Sequence, residues 1–324
     1  MTTDDLKAQV ISLIHPETKE EIAAAFAMYK EVLFQFLYKH QNTEESTLSE
    51  INARLVIQMM FSKLAHLEES SHGISFTSSD GHVLNNITDP ILISSSVRAF
   101  FETVGMFHVI WVSPQTKEEK LILHSLWAVA GLNYRQKFVK PSLELDPDKS
   151  EAAKKIRRIN IAKGEEEKKF LEDLIAGIKS TELYQNQPVG GKVAIDNAIK
   201  NKVYYILFKD GVANSLPGFQ GLMNNTGVES ELLGQLYTYF SLSAHPSYVS
   251  VFQFSGLFEV DSDNNFNHVQ HNLFSAFRMI AIFIADYIKV FPEVMETFKN
   301  FGIVERSVIY HINRELRGED YDIF

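Results

Sequence analysis

Apolar residues recur at three- and four-residue spacing through most of this chain, which is the pattern of amphipathic α-helices. The pattern is clear in Lys19–His40 and repeats in Thr47–Glu69 after a polar, capping-like segment. Further helices are predicted at Ile91–Val112, Lys117–Lys137, Lys149–Leu183, Glu229–Ala244, His268–Phe291 and Val304–Arg317. The expected fold class is therefore all-α, a multi-helix bundle with long connecting loops.

Two segments depart from this periodicity. Ser70–Pro90 is polar and predicts a long loop that ends in Asp-Pro, a natural helix start. Lys202–Lys209 (KVYYILFK) alternates weakly, and we prefer a helix there over a strand. The 324 residues are expected to form a single helical domain, with a possible N-terminal helical subdomain at 1–70 and a charged linker helix at 149–183.

Composition limits the class of protein. Hydrophobic residues make up 45% of the chain, which indicates a well-packed core, and the absence of cysteine excludes disulfides and thiolate chemistry and suits a reducing cytosol. The acidic N-terminus lacks an export signal, and the apolar helix Phe274–Phe291 is interrupted by Arg278 and Asp286, an expected ion pair. We therefore expect a cytoplasmic protein with no membrane association, whose oligomeric state the sequence leaves open.

Arg98 is the only Lys or Arg between Lys63 and Lys117, and it lies in the apolar helix Ile91–Val112. A guanidinium does not lose its proton in a protein, so an arginine facing a core needs an anionic partner. Glu102 is one helical turn later, at i+4. The spacing predicts a buried Arg98–Glu102 ion pair.

A second polar set lies in Tyr237–Ser250, within a stretch from Asp210 to Phe277 that contains no Lys or Arg. Tyr237, Ser241 and His245 are spaced by four residues, so their side chains follow one face of a helix. We interpret this set and the Arg98–Glu102 pair as two halves of one buried polar site. The residues alone leave two readings open, a packing network or a catalytic site.

In the catalytic reading, His245 is the general acid or base, and Arg98 and Glu102 bind and orient the substrate. Tyr237 and Ser241 complete the candidate catalytic residues. Arg135, which follows the helix-interrupting Gly131, is the candidate for a second positive charge in substrate binding.

Metal and cofactor sites have weaker support. His268 and His271 have an i, i+3 spacing that would let two imidazoles share a metal, but no third ligand is evident. The common nucleotide-loop, dinucleotide, esterase and zinc-protease motifs do not occur in the sequence. We therefore expect no cofactor and no metal.

Three short motifs, SSSVRAFFETV, SLWAVAGLNYRQ and QLYTYFSLSAHPS, together resemble a loosely defined group of all-helical bacterial proteins. Its members pair an Arg-x-x-x-Glu helix with a later helix that carries Tyr-x-x-x-Ser-x-x-x-His followed by Pro or Ser. The resemblance covers roughly Ile91–Gln136 and Gly227–Ser250. Such proteins are sometimes placed near HEPN-type helical domains, several of which are metal-independent RNases with an Arg-x(4–6)-His motif on one helix.

The resemblance implies a nucleotide- or RNA-directed helical protein of the HEPN-like kind, in phage defence or stress response. The chain departs from the RNase motif, because no arginine precedes His245 at the required spacing. A net charge of −10 argues against long nucleic acid as a partner, so the expected ligand is a small molecule or nucleotide. The competing hypothesis is a non-enzymatic binding or scaffold module whose polar cluster only specifies packing.

Overall fold

The computed structural model describes residues 2–40, 47–144, 150–228, 230–243, 247–252, 254 and 263–323. Its described part contains 14 α-helices and two small β-hairpins, so the all-α expectation is confirmed. The chain divides into two compact units. Unit 1 combines residues 1–108 with 223–324, and unit 2 is the continuous segment 109–222.

The first elements in chain order are α1 (Thr3–Ile14), α2 (Lys19–His40), α3 (Leu48–Ser71), β1 (Ile74–Thr77), β2 (Val83–Ile87) and α4 (Pro90–Phe107). A π-helical turn (His108–Val112) follows, and then come α5 (Lys117–Glu144), α6 (Glu151–Ser180), α7 (Glu182–Gln185), α8 (Val189–Asn201), β3 (Ile206–Lys209), β4 (Val212–Ser215) and α9 (Gly218–Asn224). The chain ends with α10 (Ser230–Ser243), α11 (Tyr248–Phe252), α12 (Asp263–Val290), a 3₁₀ turn (Pro292–Val294), α13 (Met295–Lys299) and α14 (Ile303–Arg317).

Side-chain caps set the starts of the helices that matter most for the site. At α3, the Thr47 hydroxyl accepts from the backbone N–H of Glu50, whose carboxylate accepts in return from the backbone N–H of Thr47. At α4, the Asp89 carboxylate accepts from two backbone N–H groups, and Pro90 occupies the first helical position. These local signals explain why both helices begin close to the positions that the sequence predicts.

Helix α4 is the centre of unit 1, where it packs against α3, α10 and α12. Its inward face is apolar and dense: Phe107 meets Phe283 of α12 edge-on, with ring centroids 4.9 Å apart, and Phe101 lies 5.5 Å from Phe240 of α10. All four rings are fully buried. Aromatic pairs in this arrangement add stability beyond the area that they bury, and they fix the positions of the helices relative to α4.

Asp286 of α12 is a deeply buried charge in unit 1, with its side chain 1% exposed. One carboxylate oxygen lies 2.8 Å from Nη2 of Arg317 on α14, and the other lies 2.8 Å from Nδ1 of His108, directly after α4. The Arg317 side chain is also 1% exposed, and its Nη1 donates to the Tyr321 hydroxyl at 2.6 Å. We call Asp286, His108 and Arg317 the Asp286 network; it ties three elements of unit 1 together.

The expected Arg278–Asp286 ion pair is wrong. Positions i and i+8 are about 12 Å apart along a helix, which is too far for a direct contact between these side chains. Arg278 pairs instead with Glu315 of α14 at 2.5 Å, and its guanidinium lies over the Phe274 ring.

Unit 2 has its own core. Its buried members come from α5, α6, α7, α8 and the second hairpin: Ile122, Leu123, Leu126, Ile178, Tyr184, Ala194, Ile195, Ala198, Ile206 and Ala213. Helices α5 and α6 pack along each other within this unit. The charged segment predicted as a linker helix is therefore α6, one of the packed helices of unit 2.

The helix preferred at Lys202–Lys209 is wrong, because Ile206–Lys209 is strand β3 and pairs with β4 in an antiparallel hairpin. Lys202 ends α8 in a left-handed conformation (φ 60°), and Asp210-Gly211 forms a two-residue turn with φ of 51° and 74°. Asp-Gly is a strong signal for such a hairpin turn, and it outweighs the weak helical pattern.

The long loop predicted at Ser70–Pro90 also contains a hairpin. Strands β1 and β2 pair antiparallel there, and Gly81 turns the chain with φ of 90°. Exposed strands carry no apolar periodicity strong enough to distinguish them from a polar loop. Among the described helices, none combines the length and the apolar content that crossing a bilayer requires.

We predict that Asp286→Asn lowers the free energy of unfolding by about 3–5 kcal/mol, because it leaves the Arg317 charge buried without a counterion. Burial alone would raise the pKa of Asp286, but Arg317 and His108 outweigh it and hold that pKa below its ordinary value of 3.8. The carboxylate therefore stabilises the fold above pH 3.8 and loses this effect as the pH falls further. Urea denaturation at neutral pH measures the loss.

The matched control is Glu315→Gln, which removes a half-exposed carboxylate from the mostly buried Arg278 and should cost less than Asp286→Asn, about 1–2 kcal/mol. A loss below 1 kcal/mol for Asp286→Asn would contradict the role of the Asp286 network.

Unit 2 offers a second prediction, because residues 109–222 contain both tryptophans of the chain and one histidine. His124 is 5% exposed, and its ring lies 5.9 Å from Trp127, which in turn meets Trp111 edge-on. Burial lowers the pKa of His124, so the fold holds the imidazole neutral while the unfolded chain protonates near pH 6.5. Stability is then complete above pH 6.5 and falls below it, by up to about 1.4 kcal/mol per pH unit.

The urea midpoint measured by tryptophan fluorescence should decrease between pH 7.5 and 5.5, and His124→Phe should remove most of that decrease. An equal pH dependence in the two proteins would show that His124 does not carry the effect.

Candidate functional site

Three of the predicted site residues form one contact cluster in unit 1. Arg98 Nε donates to Glu102 Oε1 at 2.9 Å along α4, and Arg98 Nη2 lies 3.4 Å from the Tyr237 hydroxyl of α10. The Tyr237 hydroxyl is in turn 3.4 Å from Glu102 Oε1. We call Arg98, Glu102 and Tyr237 the Arg98 cluster; its contacts form a closed triangle between two helices.

The position of α10 follows from its packing. Phe240, one turn after Tyr237, is buried against Phe101 of α4, so the aromatic contact places Tyr237 beside Arg98. The Arg98 guanidinium also lies 5.4 Å from the centre of the Tyr237 ring, within the range of a cation–π contact. Burial raises the pKa of the Tyr237 hydroxyl, on which Arg98 and Glu102 act in opposite directions. Tyr237 is therefore protonated at neutral pH and serves as a hydrogen-bond donor.

The expectation that this ion pair is buried in the core needs correction. The side chain of Arg98 is 25% exposed and that of Glu102 is 31% exposed. The core-facing positions of α4 are taken by apolar residues such as Val97 and Phe101, which are fully buried. Arg98 and Glu102 lie beside this face, where the guanidinium keeps part of its hydration and so avoids most of the penalty of burying a charge.

Lys63 of α3 supplies a second positive charge near this cluster, and the sequence analysis did not identify it. Its ammonium donates to Thr103 Oγ1 at 2.6 Å and to the backbone carbonyl of Ala99 at 3.1 Å, both on α4. Burial lowers the pKa of Lys63, and Glu102 partly offsets this effect. The available signal was its position as the last basic residue before the long stretch in which only Arg98 is basic.

The other predicted residues have different outcomes. The Ser241 hydroxyl donates at 2.7 Å to the backbone carbonyl of Tyr237 in its own helix. Arg135 belongs to unit 2, where its guanidinium pairs with Glu167 of α6 at 2.5 Å. His245, the candidate general acid or base, lies outside the described residues, so its role stays a prediction.

For the alternative histidine pair, the structure describes the side chain of His271 but not that of His268. The His271 ring meets Tyr239 edge-on at 6.2 Å. Within the described ranges, no group of three or more histidine or acidic side chains is arranged to hold a metal ion.

Two features of the Arg98 cluster suit anion binding. Among the described residues, no acceptor forms a hydrogen bond with Arg98 Nη1, and the Arg98 side chain is partly exposed to solvent. The ammonium of Lys63 uses two of its three hydrogens on α4. With Glu102 as the counterion, Arg98 and Lys63 leave one net positive charge, which favours an anionic ligand with few charges.

Comparisons with protein-family models, with curated proteins and with solved structures give no match to this chain. The chemistry of the site must therefore be argued from its own residues.

The geometry predicts how strongly Arg98 and Tyr237 are coupled. The contacts are long and partly exposed, so a double-mutant cycle with Arg98→Met and Tyr237→Phe should give a coupling energy of about 0.5–1 kcal/mol. Arg98→Met alone should cost about 1 kcal/mol, and not the larger loss typical of a broken buried pair. Urea denaturation of the four proteins measures these values. A coupling energy near zero would show that the two helices do not interact through these side chains.

Proposed function

We propose that unit 1 binds a small phosphate-bearing ligand, such as a nucleotide, at Arg98. In this proposal the protein is a nucleotide- or RNA-directed member of the HEPN-like bacterial group that its motifs resemble. It acts in the cytoplasm, in phage defence or stress response. His245, which lies outside the described residues, remains the proposed general acid or base.

The observation that supports binding most directly is the fixed orientation of the Arg98 guanidinium. Glu102 holds Nε and Tyr237 holds Nη2, while no described residue occupies Nη1. An arginine that is already oriented loses less conformational entropy when it binds a phosphate. Lys63, anchored on the same helix, adds a second cation for the same anion.

The charge of the site argues for a small ligand. Arg98 and Lys63 can contact two phosphates at most, and Glu102 already offsets one of their charges, whereas binding of long RNA draws on many such contacts. The chain as a whole has a net charge of −10, which repels a polyanion.

The second candidate function is a scaffold or binding module in which the Arg98 cluster fastens α10 to α4. The closed triangle of contacts favours this candidate, because each of Arg98, Glu102 and Tyr237 is hydrogen-bonded to the other two without any ligand. The Ser241 hydroxyl is likewise bonded within its own helix.

The test compares adenosine 5′-monophosphate with adenosine by isothermal titration calorimetry. We expect the nucleotide to bind and the nucleoside to bind at least about tenfold more weakly, because a charge-assisted hydrogen bond contributes roughly 1.5–3 kcal/mol. Arg98→Gln should weaken nucleotide binding by a similar factor. Arg158→Gln is the matched control, since Arg158 is exposed on α6 of unit 2.

Arg98→Lys separates charge from geometry: it should recover only part of the affinity, because an ammonium cannot form the two-pronged contact of a guanidinium. Equal binding of nucleotide and nucleoside, or equal binding by the Arg98→Gln and parent proteins, would reject the proposal. So would tight binding of long RNA with a salt slope steeper than about −1.5, since two phosphate contacts on a single strand give about −1.4.

A further inference from the structure

A groove in unit 1 lies between α1 and α14, apart from the Arg98 cluster. It encloses about 610 Å³. This volume lies within the range of about 300–1,000 Å³ that is typical of small-molecule sites.

The α1 wall of the groove is apolar. Apart from Lys7 and His15, it consists of Leu6, Val10, Ile11 and Ile14, which recur at the spacing of one helical face. From Leu6 to Ile14 this stripe is about 12 Å long, since a helix rises about 1.5 Å per residue. Ile11 is 59% exposed, so part of the stripe is uncovered.

The α14 wall is polar and basic. Ser307, His311 and Arg314 line it at i, i+4 and i+7, and therefore lie on one face of the helix. Among the described residues, neither Arg314 nor His311 has an acidic partner; Arg314 Nη1 only contacts the hydroxyl of Tyr310 at 3.3 Å. The Ser307 hydroxyl forms no hydrogen bond within the described part of the chain.

Lys7 on the α1 side adds another cation that no described acid neutralises. The two acids of the groove form no ion pair with Lys7 or Arg314 among the described residues. Glu315 is already paired with Arg278, and Glu319 lies beyond the end of α14, five residues from Arg314. The unpaired positive charge is therefore next to the apolar stripe.

We propose that this groove binds an amphipathic monocarboxylate, with its alkyl chain along α1 and its carboxylate on Arg314. An apolar wall alone would accept any hydrophobic compound, and a basic wall alone would accept any anion. Their combination selects a molecule that carries both an aliphatic chain and a single carboxylate, which a guanidinium binds through two parallel hydrogen bonds. Ser307 and His311 supply further donors on the same face of α14.

Calorimetric titration with decanoate, below its micelle concentration, tests the proposal; decanol and hexanoate serve as comparison ligands. Decanol lacks the charge and hexanoate is four methylene groups shorter, so both should bind at least about tenfold more weakly. Arg314→Gln should weaken decanoate binding about tenfold and leave decanol binding unchanged. Ile11→Gln, at an exposed position, should weaken the binding of both ten-carbon ligands.

Arg306→Gln is the matched control, because Arg306 lies on α14 but does not line the groove. Arg98→Gln should also leave decanoate binding unchanged, which separates this proposal from the nucleotide site. Equal decanoate affinity in Arg314→Gln and the parent protein would overturn the assignment. So would the absence of binding at millimolar decanoate, with circular dichroism confirming that the protein is folded.

Discussion

A carboxylate that is 1% exposed, Asp286, sets the main constraint on unit 1. An isolated charge cannot remain in a protein core, so α12 requires a cation from another element. Arg317 of α14 supplies that cation, and His108 approaches the same carboxylate from the end of α4. The aromatic contacts of α4 and α12 set how closely these helices approach, and the 2.8 Å contacts of Asp286 add a polar constraint that involves α14 as well. A single buried acid therefore links α12 and α14 to the end of α4, and each of the two proposed sites includes one helix of this set, α4 or α14.

The Arg98 cluster uses the same type of interaction at the edge of the core, with a different consequence. Its partial exposure keeps the cost of desolvation low, so the contacts contribute little to stability. The same exposure leaves one edge of the guanidinium accessible. A fully buried Arg98 would hold the helices together more strongly but would be closed to any ligand. Its intermediate position makes the helix contact compatible with the proposed binding site.

The sequence predicted what depends on nearby residues. Apolar periodicity and the caps at Thr47 and Asp89 determine helix positions, and the i, i+4 spacing of Arg98 and Glu102 determines their pairing. The partner of Asp286 could not be predicted in this way, because Arg317 is 31 residues further along and reaches it only after α12 and α14 have packed. Lys63 likewise meets Thr103 through the packing of α3 on α4. At Asp210-Gly211 the hairpin signal is local and lies in the sequence itself, directly after the weakly alternating segment that suggested a helix.

The division of the chain also affects the order in which its parts can fold. Unit 1 is discontinuous, so its first 108 residues are synthesised before α12 and α14, which pack against them in the folded protein. Unit 2 is continuous and can complete its core in the meantime. During that interval the aromatic face of α4, including Phe101 and Phe107, has no partner from α10 or α12 and is exposed to association with other chains. A ribosome that pauses within residues 109–222 would prolong this exposure, so the rate of translation through unit 2 bears directly on the yield of folded unit 1.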